Sequence, residues 1–181
     1  MQMKIGQQTI ELMVSDVTTI EVDAVVNAAN SRLAGGGGVD GAIHRRGGPA
    51  IMAETDVLYP DGCPTGSAVI STAGKLPAKH VIHAVGPVWG GGNRGEAELL
   101  GAAYNRCLEL AVEHNCRGIA FPSLSTGAYR YPVDQAARVA LSTAIEFLRN
   151  NDLPERIIFV LFDQGAYGAF AAALEEFIGT T

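Results

Sequence analysis

The sequence predicts an α/β fold, with helices on both sides of a mostly parallel sheet. Two patterns point there. After an initial strand pair, short apolar runs rich in β-branched residues alternate with longer segments carrying apolar residues at helical spacing. Two strand-to-helix junctions are built from small residues, glycines in one and Ser, Thr and Gly in the other. A chain of 181 residues, 48 % hydrophobic, fits one domain over 1–181 that is large enough to bury a core.

The elements follow in order. Residues 3–5 and the alternating stretch 9–14 read as the first strands. Ser15, Asp16, Val17 and Thr18 follow as a turn or cap, where a short acidic side chain accepts backbone N–H bonds. The run Val25-Val26 is a buried strand that stops at Asn27 and Asn30, and residues 39–46 start a short helix. Residues 49–58 form a helix with Pro49 near its first position. Residues 67–72 and 80–85 are strands, the second ended by Gly86-Pro87. His83, polar in an apolar strand, reads as a hydrogen-bonded structural histidine. The glycine-rich stretch 88–95 reads as a mobile surface loop. Residues 96–114 carry Leu99, Leu100, Ala103, Cys107, Leu110 and Ala111 at helical spacing. Residues 119–121 form a short buried strand, and 132–149 a helix opened by Pro132 with Asp134 in its first turn. Residues 157–162 are a central strand, and 166–177 the last helix. Phe162, near that strand's end, packs in the core by default.

Chemistry concentrates at the two junctions. Four glycines, Gly35 to Gly38, lie between Asn30 and Val39-Asp40. A glycine run entering a helix N-terminus turns several N–H groups on one spot and suits a phosphate or diphosphate. Asp40 then places a carboxylate at the edge as a candidate general base. The same residues also fit a plain surface loop with Asp40 as a first-turn acid complementing the helix dipole. Gly36, Gly38 and Gly41 satisfy G-x-G-x-x-G, but they lie well past the strand end, and Gly47-Gly48-Pro49 interrupts the helix too early for a dinucleotide fold. A P-loop fits still less, because no Lys-Ser or Lys-Thr follows. In the second junction Ser125, Thr126 and Gly127 can wrap a phosphate with hydroxyl and N–H donors, and Tyr129 can pack on a sugar. Two such loops make a two-sided diphosphate clamp.

Composition narrows the classes. A formal net charge of −6 disfavours binding to a nucleic-acid backbone, which needs Lys and Arg to neutralise phosphates. No apolar run approaches the roughly 20 residues of a membrane span, and the first residues run straight into a strand pattern, so a cytoplasmic protein is expected. Cys63, Cys107 and Cys116 show no metal spacing and read as buried free thiols. No metal and no cofactor are expected.

These residues carry a resemblance. Asn27-Ala-Ala-Asn30 with Gly35-Gly-Gly-Gly-Val-Asp-Gly-Ala-Ile-His44 resembles a macrodomain of the MacroD type. Cys63-Pro-Thr-Gly66, His83-Ala-Val-Gly-Pro87 and Phe121-Pro-Ser-Leu-Ser-Thr-Gly-Ala-Tyr129 agree in the same order over nearly the whole chain. Ser15 and Arg130 stand where that family usually has glycine. The resemblance implies a three-layer αβα sandwich with a mixed, mostly parallel sheet of about six strands. It also implies an ADP-ribose-binding hydrolase that cleaves esters at the distal ribose, releasing mono-ADP-ribose from Asp and Glu side chains and deacetylating O-acetyl-ADP-ribose. ADP-ribosylated proteins would be its substrates.

In that reading Asp16, Val17 and Phe162 hold the adenosine. Gly36, Gly37, Gly38, Val39, Ser125, Thr126, Gly127, Ala128 and Tyr129 hold the diphosphate. Asn30 fixes the distal ribose, and Asp40 positions or deprotonates the attacking water with His44 in support. A mechanism in which the substrate's own phosphate activates the water stands beside it. The alternative from another class is a reader that binds ADP-ribose without chemistry; Asp40 and His44 favour the enzyme, because a reader needs the cradle but not the acid.

Overall fold

The computed structural model describes residues 1–180. Its strands are β1 (Gln2–Ile5), β2 (Gln8–Val14), β3 (Val22–Ala28), β4 (Ser67–Thr72), β5 (Ala78–Val85), β6 (Gly118–Phe121) and β7 (Arg156–Leu161). Its helices are α1 (Gly38–Gly47), α2 (Ala50–Leu58), α3 (Glu96–Glu113), α4 (Val133–Asn150) and α5 (Gln164–Gly179), with one 3₁₀ turn over Val17–Thr19. All strands join one sheet in the order β1-β2-β7-β6-β3-β5-β4. The sheet therefore has seven strands, the number the residue pattern gives, against the about six that the resemblance implies; β1 pairs antiparallel with β2 and extends one edge. The central pairs β2·β7, β7·β6, β6·β3 and β3·β5 are parallel, and β4 closes the other edge antiparallel.

Strand alternation divides the core between two faces. Ala24, Val26, Ile157, Phe159 and Leu161 face a cluster with α3, α4 and α5 residues such as Leu100, Tyr104, Leu141 and Phe170. Val25, Ile158, Val160 and Val81 face the smaller layer, with Ile43 of α1 and Ile51 of α2. This is the three-layer sandwich. On the smaller-layer face, β3 and β5 switch from apolar to polar one step beyond Val25 and Val81: Asn27 and His83 are both buried and sit opposite each other in register. Because the five central strands run in one direction, the residues after β2, β3, β5, β6 and β7 all emerge at a single edge. Ligands of open α/β sheets collect at that edge.

Candidate active site

The β3–α1 connection is shaped by Asn30. Its Nδ2 donates to the Gly35 carbonyl at 2.9 Å, while Oδ1 accepts from the backbone N–H of Arg32 and Ala34, each at 3.2 Å. Gly35 and Gly38 take φ of 76° and 57°, a region that admits glycine at no steric cost. Helix α1 opens at Gly38 with Gly37 as its cap and no side-chain cap. The N–H groups of Gly35 to Gly37, and the first helical ones, have no acceptor among the described residues. An uncapped N-terminus with free donors is a site for an anion.

Asp40 lies in the first turn of α1, 6 % exposed. Its Oδ1 accepts from Asn27 Nδ2 at 2.8 Å and lies 3.2 Å from His44 Nε2, one turn along the helix. Its Oδ2 lies toward the glycine loop, 3.5 Å from where a Cβ on Gly36 would stand. One oxygen is thus anchored and the other is presented beside the cradle. Behind Asp40, Asn27 Nδ2 also contacts His83 Nδ1 at 3.1 Å, and His83 Nε2 contacts Ser71 Oγ at 2.8 Å. Burial, with a smaller contribution from the His44 ring, lowers the His83 pKa to about 3, so this imidazole is neutral. His83 is the hydrogen-bonded histidine that the sequence suggested.

The β6–α4 connection faces the first loop. Ser125 and Arg130 adopt φ of 65° and 60°. Arg130, one of the two departures from the resembled pattern, is thus a non-glycine residue in the left-handed region. The Thr126 hydroxyl donates within the loop, either to the Ser123 carbonyl at 3.1 Å or to Ser123 Oγ at 2.8 Å. The Ser125 hydroxyl is buried against Gly86, where a Cβ would collide with it. This loop therefore turns backbone donors, rather than the expected hydroxyls, on a ligand: the N–H groups of residues 125–129 have no acceptor among the described residues. The stretch after Pro87 is not a loose loop. The Glu96 carboxylate accepts from the N–H groups of Gly90, Gly92 and Arg94 at 2.6–3.0 Å, which holds its own pKa below the usual range. The Trp89 ring packs on Tyr131 at 4.6 Å and the Trp89 backbone N–H donates to the Tyr129 carbonyl at 2.8 Å, bracing the second loop.

The two loops enclose adjoining cavities. One, about 410 Å³, is lined by Asn30, Gly36, Asp40, Ser125 and Tyr129. The other, about 790 Å³, is lined by Asp16, Val17, Arg45, Thr126 and Phe162. Gly38, Val39, Ser123 and Gly127 line both, so the glycine loops sit at the waist of one elongated cleft. A separate groove of about 810 Å³ between α3 and α4 carries Glu109, Glu113 and Glu146 and would repel a diphosphate. At the wide end of the cleft, Asp16 caps the 3₁₀ turn: its Oδ1 accepts from Thr18 N at 2.9 Å and Thr18 Oγ1 at 2.6 Å. Those bonds, the hydroxyl first, lower its pKa against a burial contribution that raises it. Its Oδ2 lies 3.9 Å from Arg46, both side chains about half exposed. Phe162 is 85 % exposed and does not pack in the core, since β7 ends at Leu161 and the next side chain points out of the sheet edge.

The family model for the macro domain matches residues 26–140, more than half of the chain. The chain belongs to the macrodomain family. It is 53 % identical over 172 residues to a macro domain-containing protein of Caldanaerobacter subterraneus subsp. tengcongensis, covering 94 % of this chain and 98 % of that one. It is 51 % identical over 169 residues to an O-acetyl-ADP-ribose deacetylase of Klebsiella pneumoniae, covering 92 % of this chain and 97 % of that one. Among solved structures, the Oceanobacillus iheyensis macrodomain with ADP superposes with a TM-score of 0.95 at 38 % identity, covering 100 % of this chain and 97 % of the other.

In this macrodomain every site residue named from the sequence lines the cleft except His44, which reaches it through Asp40. Asn27 escaped the sequence reading as a functional residue, and Arg45 was not considered. The available signal for Asn27 was its phase: it follows Val25 by two residues, on the face that α1 covers, where an apolar residue is the default. The three cysteines are buried and free.

Proposed function

We propose that this macrodomain binds ADP-ribose and hydrolyses esters at its distal ribose, removing mono-ADP-ribose from Asp and Glu side chains and deacetylating O-acetyl-ADP-ribose. One observation carries the reading: a buried carboxylate, held through one oxygen by Asn27 and His44, presents the other beside a loop of unpaired N–H donors. A carboxylate near bound phosphates opposes binding, so affinity alone gives no reason to keep one there. A water to be activated does. The Klebsiella pneumoniae relative's name agrees with ester chemistry on this ligand.

The diphosphate would sit at the waist, between the N–H groups of Gly36 to Val39 and those of Ser125 to Tyr129. Adenosine would occupy the wide end, with Asp16 Oδ2 beside the Val17 backbone as acceptor and Phe162 against the base. The distal ribose would reach the narrow end. There the Asn30 amide has one N–H left after its bond to Gly35, enough for one ribose hydroxyl. Hydrolysis takes a proton from water and returns one to the departing oxygen. Asp40 Oδ2 would take the first proton, with a substrate phosphate as the competing base. Turnover of O-acetyl-ADP-ribose by the purified protein is the test. Tight ADP-ribose binding with no turnover would make it a reader instead.

A further inference from the structure

We infer that Ser71 and His83, which touch no ligand cavity, are positioning residues for hydrolysis: they set the direction of a buried hydrogen-bond chain that holds Asp40 in its reactive orientation. The inference rests on the hydrolase reading. The chain starts from a fixed acceptor. Ser71 Oγ lies 3.0 Å from the Thr72 carbonyl, which can only accept, so the hydroxyl proton goes there. The Ser71 lone pairs then face His83 Nε2 at 2.8 Å, which must carry the imidazole proton. His83 Nδ1 is therefore a bare lone pair and accepts from Asn27 Nδ2 at 3.1 Å. The second hydrogen of the same Nδ2 goes to Asp40 Oδ1 at 2.8 Å.

Each link fixes the next. With His83 in the opposite tautomer, its N–H would oppose the Asn27 amide N–H, and the amide would turn over. Its carbonyl oxygen would then face the Asp40 carboxylate, acceptor against acceptor. The observed orientation has a cost that supports this reading: Asn27 Oδ1 is buried with no partner among the described residues. The protein leaves a carbonyl unsatisfied in order to keep the donor end of Asn27 on Asp40. Strand register supplies the geometry, since Asn27 and His83 are direct partners across β3 and β5, and Ser71 lies on β4 two residues beyond Val69, the direct partner of His83, and so on the same face. The titratable groups facing His83 are His44, with ring centroids 6.2 Å apart, and Asp40 beyond Asn27.

Two substitutions separate the ends of the imidazole. His83→Asn keeps an acceptor near the Nδ1 position and loses the donor to Ser71; His83→Gln keeps a donor near the Nε2 position and loses the acceptor. Single-turnover hydrolysis of O-acetyl-ADP-ribose should fall on the order of 10²-fold in His83→Gln, the scale of a misplaced reactive group, and stay within about fivefold of wild type in His83→Asn. ADP-ribose affinity by calorimetry should hold in both, because neither change touches the cradle. A His83→Gln protein at the wild-type rate, or a His83→Asn protein that loses as much, would overturn the inference. Nitrogen-15 NMR of the wild-type histidines judges the same chain without catalysis or substitution: His83 should be the neutral Nε2–H tautomer at pH 7, and an Nδ1–H tautomer or an imidazolium would refute it. Wild-type protein that binds ADP-ribose without turning over the ester would refute the hydrolase reading alone, leaving the NMR result to decide the hydrogen-bond chain.

Discussion

Gly41→Ala should weaken ADP-ribose binding by displacing the glycine loop, at a modest cost to the fold. Gly41 lies in α1, where its missing side chain lets the glycine loop pass: a Cβ would stand 2.7 Å from the Gly36 carbonyl oxygen and 2.9 Å from Arg45 Nη1. The arginine tip can swing away, but the carbonyl is backbone. Ordinary contact begins near 3.4 Å, so loop and helix must part by about 0.7 Å. An N–H···O bond of about 2.9 Å stretched by that much is no longer a hydrogen bond. Losing one bond to a charged phosphate costs about 1.5–3 kcal/mol, or roughly 10- to 100-fold in Kd. Alanine meanwhile favours the helix by up to about 1 kcal/mol over glycine, which offsets part of the roughly 1–3 kcal/mol cost of overpacking, so Tm should fall only modestly. Gly168→Ala is the control: it lies in α5 outside the cleft lining and nothing stands within 4 Å of a Cβ there, so it gains helix preference while binding should stay near wild type. Calorimetry with ADP-ribose, paired with thermal unfolding, reads both. Wild-type affinity in Gly41→Ala would show that the glycine loop does not hold the diphosphate.

Asp16→Ala should weaken ADP-ribose by about 1–3 kcal/mol if the adenine loses its acceptor, and should lower stability by about 1 kcal/mol through loss of the Thr18 cap. AMP affinity, measured in parallel, should fall by the same factor, and an unchanged value for both ligands would remove Asp16 from the adenosine site. Acid should destabilise the protein well above the carboxylate range. The folded His83 pKa is about 3 against 6.5 for a free histidine, so as pH falls through 6.5 the unfolded chain takes up a proton that folded His83 refuses. Stability conferred above pH 6.5 is then lost by up to about 1.4 kcal/mol per pH unit down to about pH 3. His80, whose pKa is also lowered, chiefly by burial, adds to the same slope. Denaturant midpoints across pH 4–7 should flatten in His83→Asn, and an equal slope would contradict the neutral assignment. Ester hydrolysis should survive exhaustive EDTA treatment, because among the described residues no three His, Cys, Asp or Glu side chains are grouped to hold a metal ion. Loss of activity with rescue by one divalent ion would refute this.

The sheet and both loops were legible because periodicity and punctuation agree along this chain. The Val25-Val26 strand, the glycine run and Gly38–Gly47 needed only local information. What local information could not supply was the partner of each polar group. Asn27 reads as a strand-end asparagine until β5 sets His83 opposite it and α1 sets Asp40 over it. The Thr126 hydroxyl and most of the Asn30 amide proved committed to their own loops, which is a matter of backbone path rather than residue type. The default core position for Phe162 fails because its strand ends one residue earlier than the apolar run, leaving the ring in the open at the cleft, where the resemblance rather than the residue pattern puts it. The Val88–Gly95 stretch looked mobile by composition, yet the Glu96 carboxylate that follows it gathers the N–H groups of Gly90, Gly92 and Arg94.

The central claim is that Asp40 carries the chemistry while the glycine cradle carries the affinity. Single-turnover hydrolysis of O-acetyl-ADP-ribose by Asp40→Ala, with ADP-ribose calorimetry on the same preparation, tests it most directly. Turnover should fall on the order of 10²- to 10⁴-fold, the usual span for a general base. Affinity for ADP-ribose should hold or improve, since a negative charge beside the phosphates is removed. Hydrolysis at the wild-type rate would make Asp40 a first-turn helix acid and contradict the account.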